Sequence, residues 1–436
     1  CGLSVLSSCM ARMPNGVAAF PRPMTLAERL RIIAPMAGCS GGDAGSDLVA
    51  PDVTSDAAIA GDVPDVADVS AGSDVSNDVT VARADYSAFG PYPVGRLHVE
   101  LHDAARDRTL PVEIWYPATS AAKADFDLGG PITDVWTESE NALIAPYLEN
   151  ASPCLTTTVH AVAGAEPAPG SWPLVVFSHC STCTRTSNVS AVERLASHGF
   201  AVVAADHVGD TLWDSIRDGT SSGLAEEFLV VRGADVVFLL DTFLDPQDDS
   251  VPESVRGRFD PERVAMFGHS FGAVTSGLVT ATDARIRGAV LHAAPFAGHY
   301  YLVQPETNTR PVFTIVAVED SMITWVGNDM LREDFSRLSG PAWKAEVADA
   351  GHLSFHDLCR VRGSFADCCG TGARQSDQSF EVFEYIDQAE SMQIGATMTT
   401  AFLAWLLLGD ESARSVFEQS PDPRVSVESR NTALLD

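Results

Sequence analysis

The stretch "RVAMFGHSFGAVTSGL", Arg263 to Leu278, sets an apolar run against a serine bracketed by glycines and follows it with small, helix-compatible residues. The run reads as a buried strand and "AVTSGLVTA" as a helix, so Gly268-His269-Ser270-Phe271-Gly272 has to turn sharply from one into the other. The two glycines permit that turn, in which the serine takes strained backbone angles and its hydroxyl stands clear of the sheet. The helix N-terminus behind it adds a positive potential, and the Phe271 N–H faces a developing oxyanion. Ser270 is therefore read as a nucleophile. A G-x-S-x-G pattern alone carries little weight in a chain with 33 glycines; the strand before it and the helix after it decide the reading.

A serine hydroxyl needs a base, and the base needs an orienting acid. "TIVAVEDSMIT" places Glu319 and Asp320 where a strand stops, and "AEVADAGHLSFHD" ends a later strand and delivers His352 directly after Gly351. Serine, then acid, then histidine is the chain order expected at this sheet edge. Asp320 is preferred because its shorter side chain suits the reach from a strand end; Glu319 is the alternative acid. His356, four residues on, is read as a structural neighbour, His269 and His292 sit beside other strand ends, and Asp206 is read as structural. A second oxyanion donor is expected from the loop "FSHCSTCTRTS", at the N–H of Ser181.

The surrounding elements agree with this placement. "GRLHVELHD" and "TLPVEIWYP" alternate apolar and polar residues, as a half-buried antiparallel hairpin does. From residue 173 onward continuous apolar runs recur at 173–179, 200–206, 263–269, 287–295, 311–320 and 343–350, separated in several places by helical stretches. This predicts an α/β fold: a mostly parallel central sheet opened by an antiparallel hairpin, with helices on both faces. The catalytic domain is expected over 85–409, with a loosely attached tail over 410–436. "AFLAWLLLG", 401–409, reads as a buried helix near its end, and no span reads as long enough to cross a membrane.

Lys+Arg 28 against Asp+Glu 59 gives a formal charge of -31, which repels phosphate backbones and excludes nucleic acid as a partner. The first 39 residues carry Arg12, Arg22, Arg29 and Arg31 against one acid, Glu28, and end in "IIAPMAGC". That pattern resembles a bacterial lipoprotein signal with its lipobox at Met36 to Cys39. Residues 40–84 hold recurrent Asp among Gly, Ser, Ala, Val and Pro, and read as a disordered acidic tether. Lipid on Cys39 is the expected membrane attachment, in an exported protein that is either a lipoprotein of the bacterial cell envelope, at the outer membrane or surface, or secreted. Beyond Cys39 stand Cys154, Cys180, Cys183, Cys359, Cys368 and Cys369, an even number that suggests up to three disulfides of unreadable pairing. Structural bridges are favoured over a metal site or a redox use of the CxxC at Cys180 and Cys183.

The segments "GPYPVG" (90–95), "LPVEIWYPA" (110–118), "PLVVFSH" (173–179), "LASHGFAVVAADHVGDT" (195–211), "DPERVAMFGHSFG" (260–272) and "AGHLSFHDLC" (350–359) together resemble the α/β-hydrolase superfamily. More narrowly, the chain is similar to bacterial predicted dienelactone hydrolases and to platelet-activating-factor acetylhydrolases. The resemblance implies a serine hydrolase acting on carboxylic esters, preferably of short acyl chains, with no metal or organic cofactor. Phospholipid, polyester and lactone substrates stay open. Three departures stand out: the elbow holds Ser270 where true dienelactone hydrolases use cysteine, His292 occupies the strand end that carries the acid in the acetylhydrolases, and Cys180 replaces the glycine usual in "FSHG". An acid moved one strand on, to Asp320, is similar to cutinase-like polyester hydrolases. The insertions at 119–170 and 208–225 are expected to border the pocket, with Trp213 and Phe228 lining it. The rival readings are an inactive hydrolase-fold surface-binding lipoprotein and a thiol oxidoreductase.

Overall fold

The computed structural model describes residues 84–435 apart from 149–156, 220, 222, 301, 360, 362–364 and 421. The segment read as a signal, nearly all of the segment read as a tether, and Cys154 lie outside the described residues. β1 (Val94–Asp103) and β2 (Arg108–Pro117) form the expected hairpin, in register from Val94↔Pro117 to Asp103↔Arg108. β3 (Val162–Ala163) adds a short edge beside β1. β4 (Trp172–Ser178), β5 (Ala201–Ala205), β6 (Phe259–His269), β7 (Ile286–His292), β8 (Val312–Ala317) and β9 (Ala342–Val347) are mutually parallel. With β10 (Val425–Arg430) they complete one sheet in the order β10-β9-β8-β7-β6-β4-β5-β2-β1-β3.

Physical chemistry accounts for the parallel centre. β4, β5 and β8 are buried at every position, and a strand apolar on both sides needs cover on both faces. The cover comes from α1 (Val189–Ser197), α2 (Glu226–Leu244), α3 (Phe271–Thr282) and α4 (Gln388–Leu403), with α1 packed on α4 and α2 on α3. The stretch "AFLAWLLLG" is the end of a longer apolar helix than its own nine residues suggest. The continuous segment Gln388–Leu408 is 21 residues long and contains an 18-residue stretch of mean hydropathy 1.3, enough by length and composition to cross a membrane, but 72% of that stretch is buried inside the fold, as in a core helix.

The C-terminal stretch corrects the expectation of a loose tail over 410–436. β10 pairs antiparallel with β9 from Ala342↔Arg430 to Val347↔Val425 and so covers the edge of the parallel sheet. Ahead of it, Phe417 is fully buried, with ring centroids 5.5 Å from Trp343, 5.3 Å from Phe402 and 5.9 Å from Trp405. Tyr86, at the other end of the described chain, donates from its hydroxyl to Asp410. Phe417→Ala is expected to cost about 3–5 kcal/mol of unfolding free energy in a denaturant titration, as deletion of a core aromatic does. A detached tail would register almost nothing.

Candidate active site

The elbow has the predicted strain. Ser270 takes φ 55° and ψ -122°, between the end of β6 and the start of α3, and its N–H donates to His292 O at 2.8 Å. The flanking glycines are required by contact: a Cβ at Gly272 would lie 1.9 Å from Ser178 O, and one at Gly268 would lie 2.1 Å from Gly272 O. Neither position leaves room for a side chain.

The structure brings Ser270, His352 and Asp320 together. His352 Nε2 lies 2.7 Å from Ser270 Oγ, and His352 Nδ1 lies 2.6 Å from Asp320 Oδ2. Asp320 Oδ1 accepts the N–H groups of Met322 and Ile323, both at 2.9 Å, which fixes the carboxylate on its own turn. Burial would lower the His352 pKa, but the charge and hydrogen bond of Asp320 and the charge of Asp367 outweigh it and raise the imidazole above its ordinary value. Burial holds the Asp320 pKa above the usual carboxylate range despite His352. Glu319 is turned away from His352: it binds Arg374, Ser376 and the N–H of Gln375, and so anchors a neighbouring loop.

The remaining histidines are structural supports. His269 Nε2 lies 2.8 Å from His352 O and steadies the base's backbone. His292 pairs with Thr399 Oγ1 at 2.8 Å, and burial pushes its pKa down to about 3. His356 Nε2 sits 3.3 Å from Cys180 Sγ, and burial likewise pushes it down to about 3. Asp206 is structural too, holding the fully buried Arg185 at 2.6 Å.

Ser181 lies in the tight loop after β4, and its backbone N–H has no acceptor among the described residues. Its side chain donates to Asp210 Oδ1 at 2.8 Å. Asp210 in turn accepts Arg232 Nη1 at 2.8 Å, and the other end of that guanidinium donates to His179 O. Arg232 also lies over the Phe271 ring, 4.8 Å from its centroid. One buried arginine on α2 thus braces both the Ser181 loop and the residue after Ser270. Burial pulls its pKa down to about 10 even so. Arg232 was not singled out from sequence, since "VVRGADVV" reads as ordinary helix; two charges, Arg232 and Asp235, inside an otherwise apolar run were the available signal.

The loop is also closed covalently. Cys180 pairs with Cys183 and Cys359 with Cys368, and Cys369 is disulfide-bonded as well. The sulfurs of Cys359, Cys368 and Cys369 are therefore committed to bridges rather than available as thiolate ligands. Cys180 and Cys183 are buried, unlike an accessible redox dithiol.

A cavity of about 240 Å³ opens beside Ser270, lined mainly by apolar groups from Phe271, Val274, Ala294, Pro295, Tyr300, Met322, Ile323, Val326 and Leu224. Trp213 and Phe228 do not line it, which corrects the expectation. Trp213 is held inside the fold by Trp136 and by a bond from its indole N–H to Asp206 at 3.2 Å, and Phe228 packs by Gly209 and Arg108. The walls come instead from the loops after β7 and β8; among the described residues of the two insertions, Leu224 is the one that contributes.

A serine on a strained strand-to-helix turn, with acid and base following it at the C-terminal edge of a parallel sheet, decides the architecture. The chain has the α/β-hydrolase fold. Comparison with known proteins agrees. The family of platelet-activating factor acetylhydrolase, isoform II, matches over residues 83–212, a span that includes the Ser181 loop and stops before Ser270. Among solved structures, this chain is similar to a ferulic acid esterase from Streptomyces cinnamoneus, at a TM-score of 0.56 and 23% identity, over 77% of this chain and 96% of that one.

Two outcomes are expected of a Ser270–His352–Asp320 relay that acts on esters. Asp320→Asn lowers kcat for an activated ester by about 10⁴-fold, as a mispositioned imidazole does, whereas Glu319→Gln leaves the rate near that of the parent. Such a relay also gives a pH dependence of definite sign: only a neutral imidazole can take a serine proton, so kcat/KM is expected to fall as pH drops through the His352 pKa. Because that pKa is raised, a pH–rate profile should place the acid limb above the ordinary imidazole value of 6.5.

Proposed function

We propose that this chain is a serine hydrolase that cleaves carboxylic esters through an acyl-enzyme. The observation that carries the reading is the continuous hydrogen-bonded relay from Ser270 Oγ to His352 to Asp320, at 2.7 and 2.6 Å, opening into an apolar cavity. The similarity to an acetylhydrolase family and to an esterase structure supports it.

Ser270 Oγ attacks the ester carbonyl carbon while His352 Nε2 takes its proton, and Asp320 stabilises the imidazolium. The N–H groups of Phe271 and Ser181 bind the oxyanion, each such donor contributing about 3 kcal/mol to the transition state. Collapse expels the alcohol, which leaves with the proton from His352. Water, deprotonated by the same imidazole, then releases the acid and restores Ser270. No step calls for a metal or organic cofactor.

The cavity of about 240 Å³ accommodates a short acyl group within apolar walls, which supports short-chain esters as substrates. Its rim favours a second reading within the same chemistry. Leu224, Met322 and Val326, 53%, 53% and 48% exposed, surround the mouth and would suit an ester presented on an apolar surface, as in a phospholipid or polyester. Lipid attachment at Cys39 and an envelope location remain part of the proposal; the disulfides support an oxidising compartment.

Hydrolysis of p-nitrophenyl esters from acetate to palmitate tests the reading. Acetate and butyrate are expected to turn over and palmitate to lag, with activity lost in Ser270→Ala and Ser270 labelled by a fluorophosphonate. A protein that neither labels nor cleaves any of these esters would be a binding lipoprotein instead. Greater activity on emulsified than on dissolved tributyrin would favour the surface-presented substrate.

A further inference from the structure

Asp367 belongs to none of the motifs above. It is 5% exposed, in a loop between the strand that leads to His352 and α4. Its Oδ2 accepts two backbone N–H groups, from Ser321 at 2.8 Å and from His352 at 2.8 Å. Ser321 directly follows Asp320. One carboxylate oxygen therefore joins the loop that carries the acid to the loop that carries the base.

The clamp is itself held in place. Asp367 Oδ1 accepts the hydroxyl of Tyr385, and its backbone carbonyl accepts Leu353 N–H at 2.8 Å. The next residue, Cys368, is bridged to Cys359. The fit against the base loop leaves no slack: a Cβ at Gly351 would lie 2.6 Å from Asp367 O and 2.7 Å from its Oδ1.

We propose that Asp367 is a positioning residue of the hydrolase, whose carboxylate locks the acid loop to the base loop and adds a second negative charge beside the His352 imidazole. This rests on the reading of Ser270, His352 and Asp320 as the reacting groups. The titratable groups facing His352 are Asp320 from the loop after β8, Asp367 from the bridged loop, His269 from the end of β6 and His356 from its own loop. Burial depresses His269 and His356, so both are neutral around pH 7. Burial also raises the Tyr385 phenol, with Asp367 reinforcing it, so it too is uncharged there. The two carboxylates are therefore the charges that raise the His352 pKa against burial.

Two substitutions in the full chain separate the clamp from the charge. Asp367→Asn keeps an oxygen to accept both N–H groups and removes the charge; Asp367→Ala removes both. The readouts are kcat and KM for p-nitrophenyl acetate against pH, normalised to fluorophosphonate-titrated sites, and the His352 titration followed by NMR with ¹³C-labelled histidine. Asp367→Ala is expected to lower kcat by about 10²-fold with KM little changed, the loss typical of a displaced reacting group. Asp367→Asn is expected to move both the acid limb and the NMR midpoint to lower pH, with a smaller loss of plateau kcat.

An Asp367→Ala protein with parental kcat would overturn the clamp. An Asp367→Asn protein with unchanged limb and midpoint would overturn the electrostatic part, and if Asp367→Ala does not fold, Asp367→Ser, whose hydroxyl is too short to reach both N–H groups, tests the clamp by the same kcat readout. A parent protein that cleaved no ester would count against the hydrolase reading alone, because the imidazole titration is read without substrate.

Discussion

The close approach of two backbones at Gly272 is the contact on which the site depends. A side chain there would collide with Ser178 O at 1.9 Å and His179 O at 2.7 Å, so α3 begins directly against the end of β4. Two consequences meet at that point. Ser270 is forced into a positive-φ conformation that costs about 1–3 kcal/mol and is held by its bond to His292 O. The loop leaving β4, which carries Ser181, is brought to the same side as Phe271, so the candidate nucleophile and candidate oxyanion donors are set by one steric constraint.

Charge beneath this contact is buried and paired rather than excluded. Arg232 is enclosed by Asp210 and the His179 carbonyl, and Arg185 by Glu113, Glu140 and Asp206. Burial raises the Asp206 pKa to about 6 even with Arg185 against it. Such groups add little net stability compared with apolar packing, but removing one partner leaves the other charged and desolvated. They therefore restrict the loops after β4 and β5 to a single arrangement, which a site built on backbone N–H groups requires.

Much of this was legible in the chain. Continuous apolar runs gave the parallel strands because burial on both faces leaves no polar alternation, and the elbow stood out because only small residues fit it. Ser270, Asp320 and His352 followed from their order at the ends of β6, β8 and β9. The edge strand β10 was missed although "VSVESR" alternates, since its short pattern is mostly exposed and only Val425 and Val427 pack inward. Trp213 and Phe228 were assigned to the pocket on aromatic character alone, whereas the walls come from loops whose neighbourhood depends on strand order. Asp367 had no readable signal: its role comes from contacts to residues 46 and 15 positions away.

The disulfides have a further consequence, set by how little chain they enclose. Cys180–Cys183 and Cys359–Cys368 join residues only 3 and 9 positions apart. The stabilisation a cross-link gives through the unfolded state grows with the loop it closes, so bridges this short restrain the denatured chain weakly. One of them shapes the turn around Ser181, and the other ends beside Asp367. Replacing either of these two pairs by serines would thus loosen the region around Ser181 or Asp367 more than it melts the molecule.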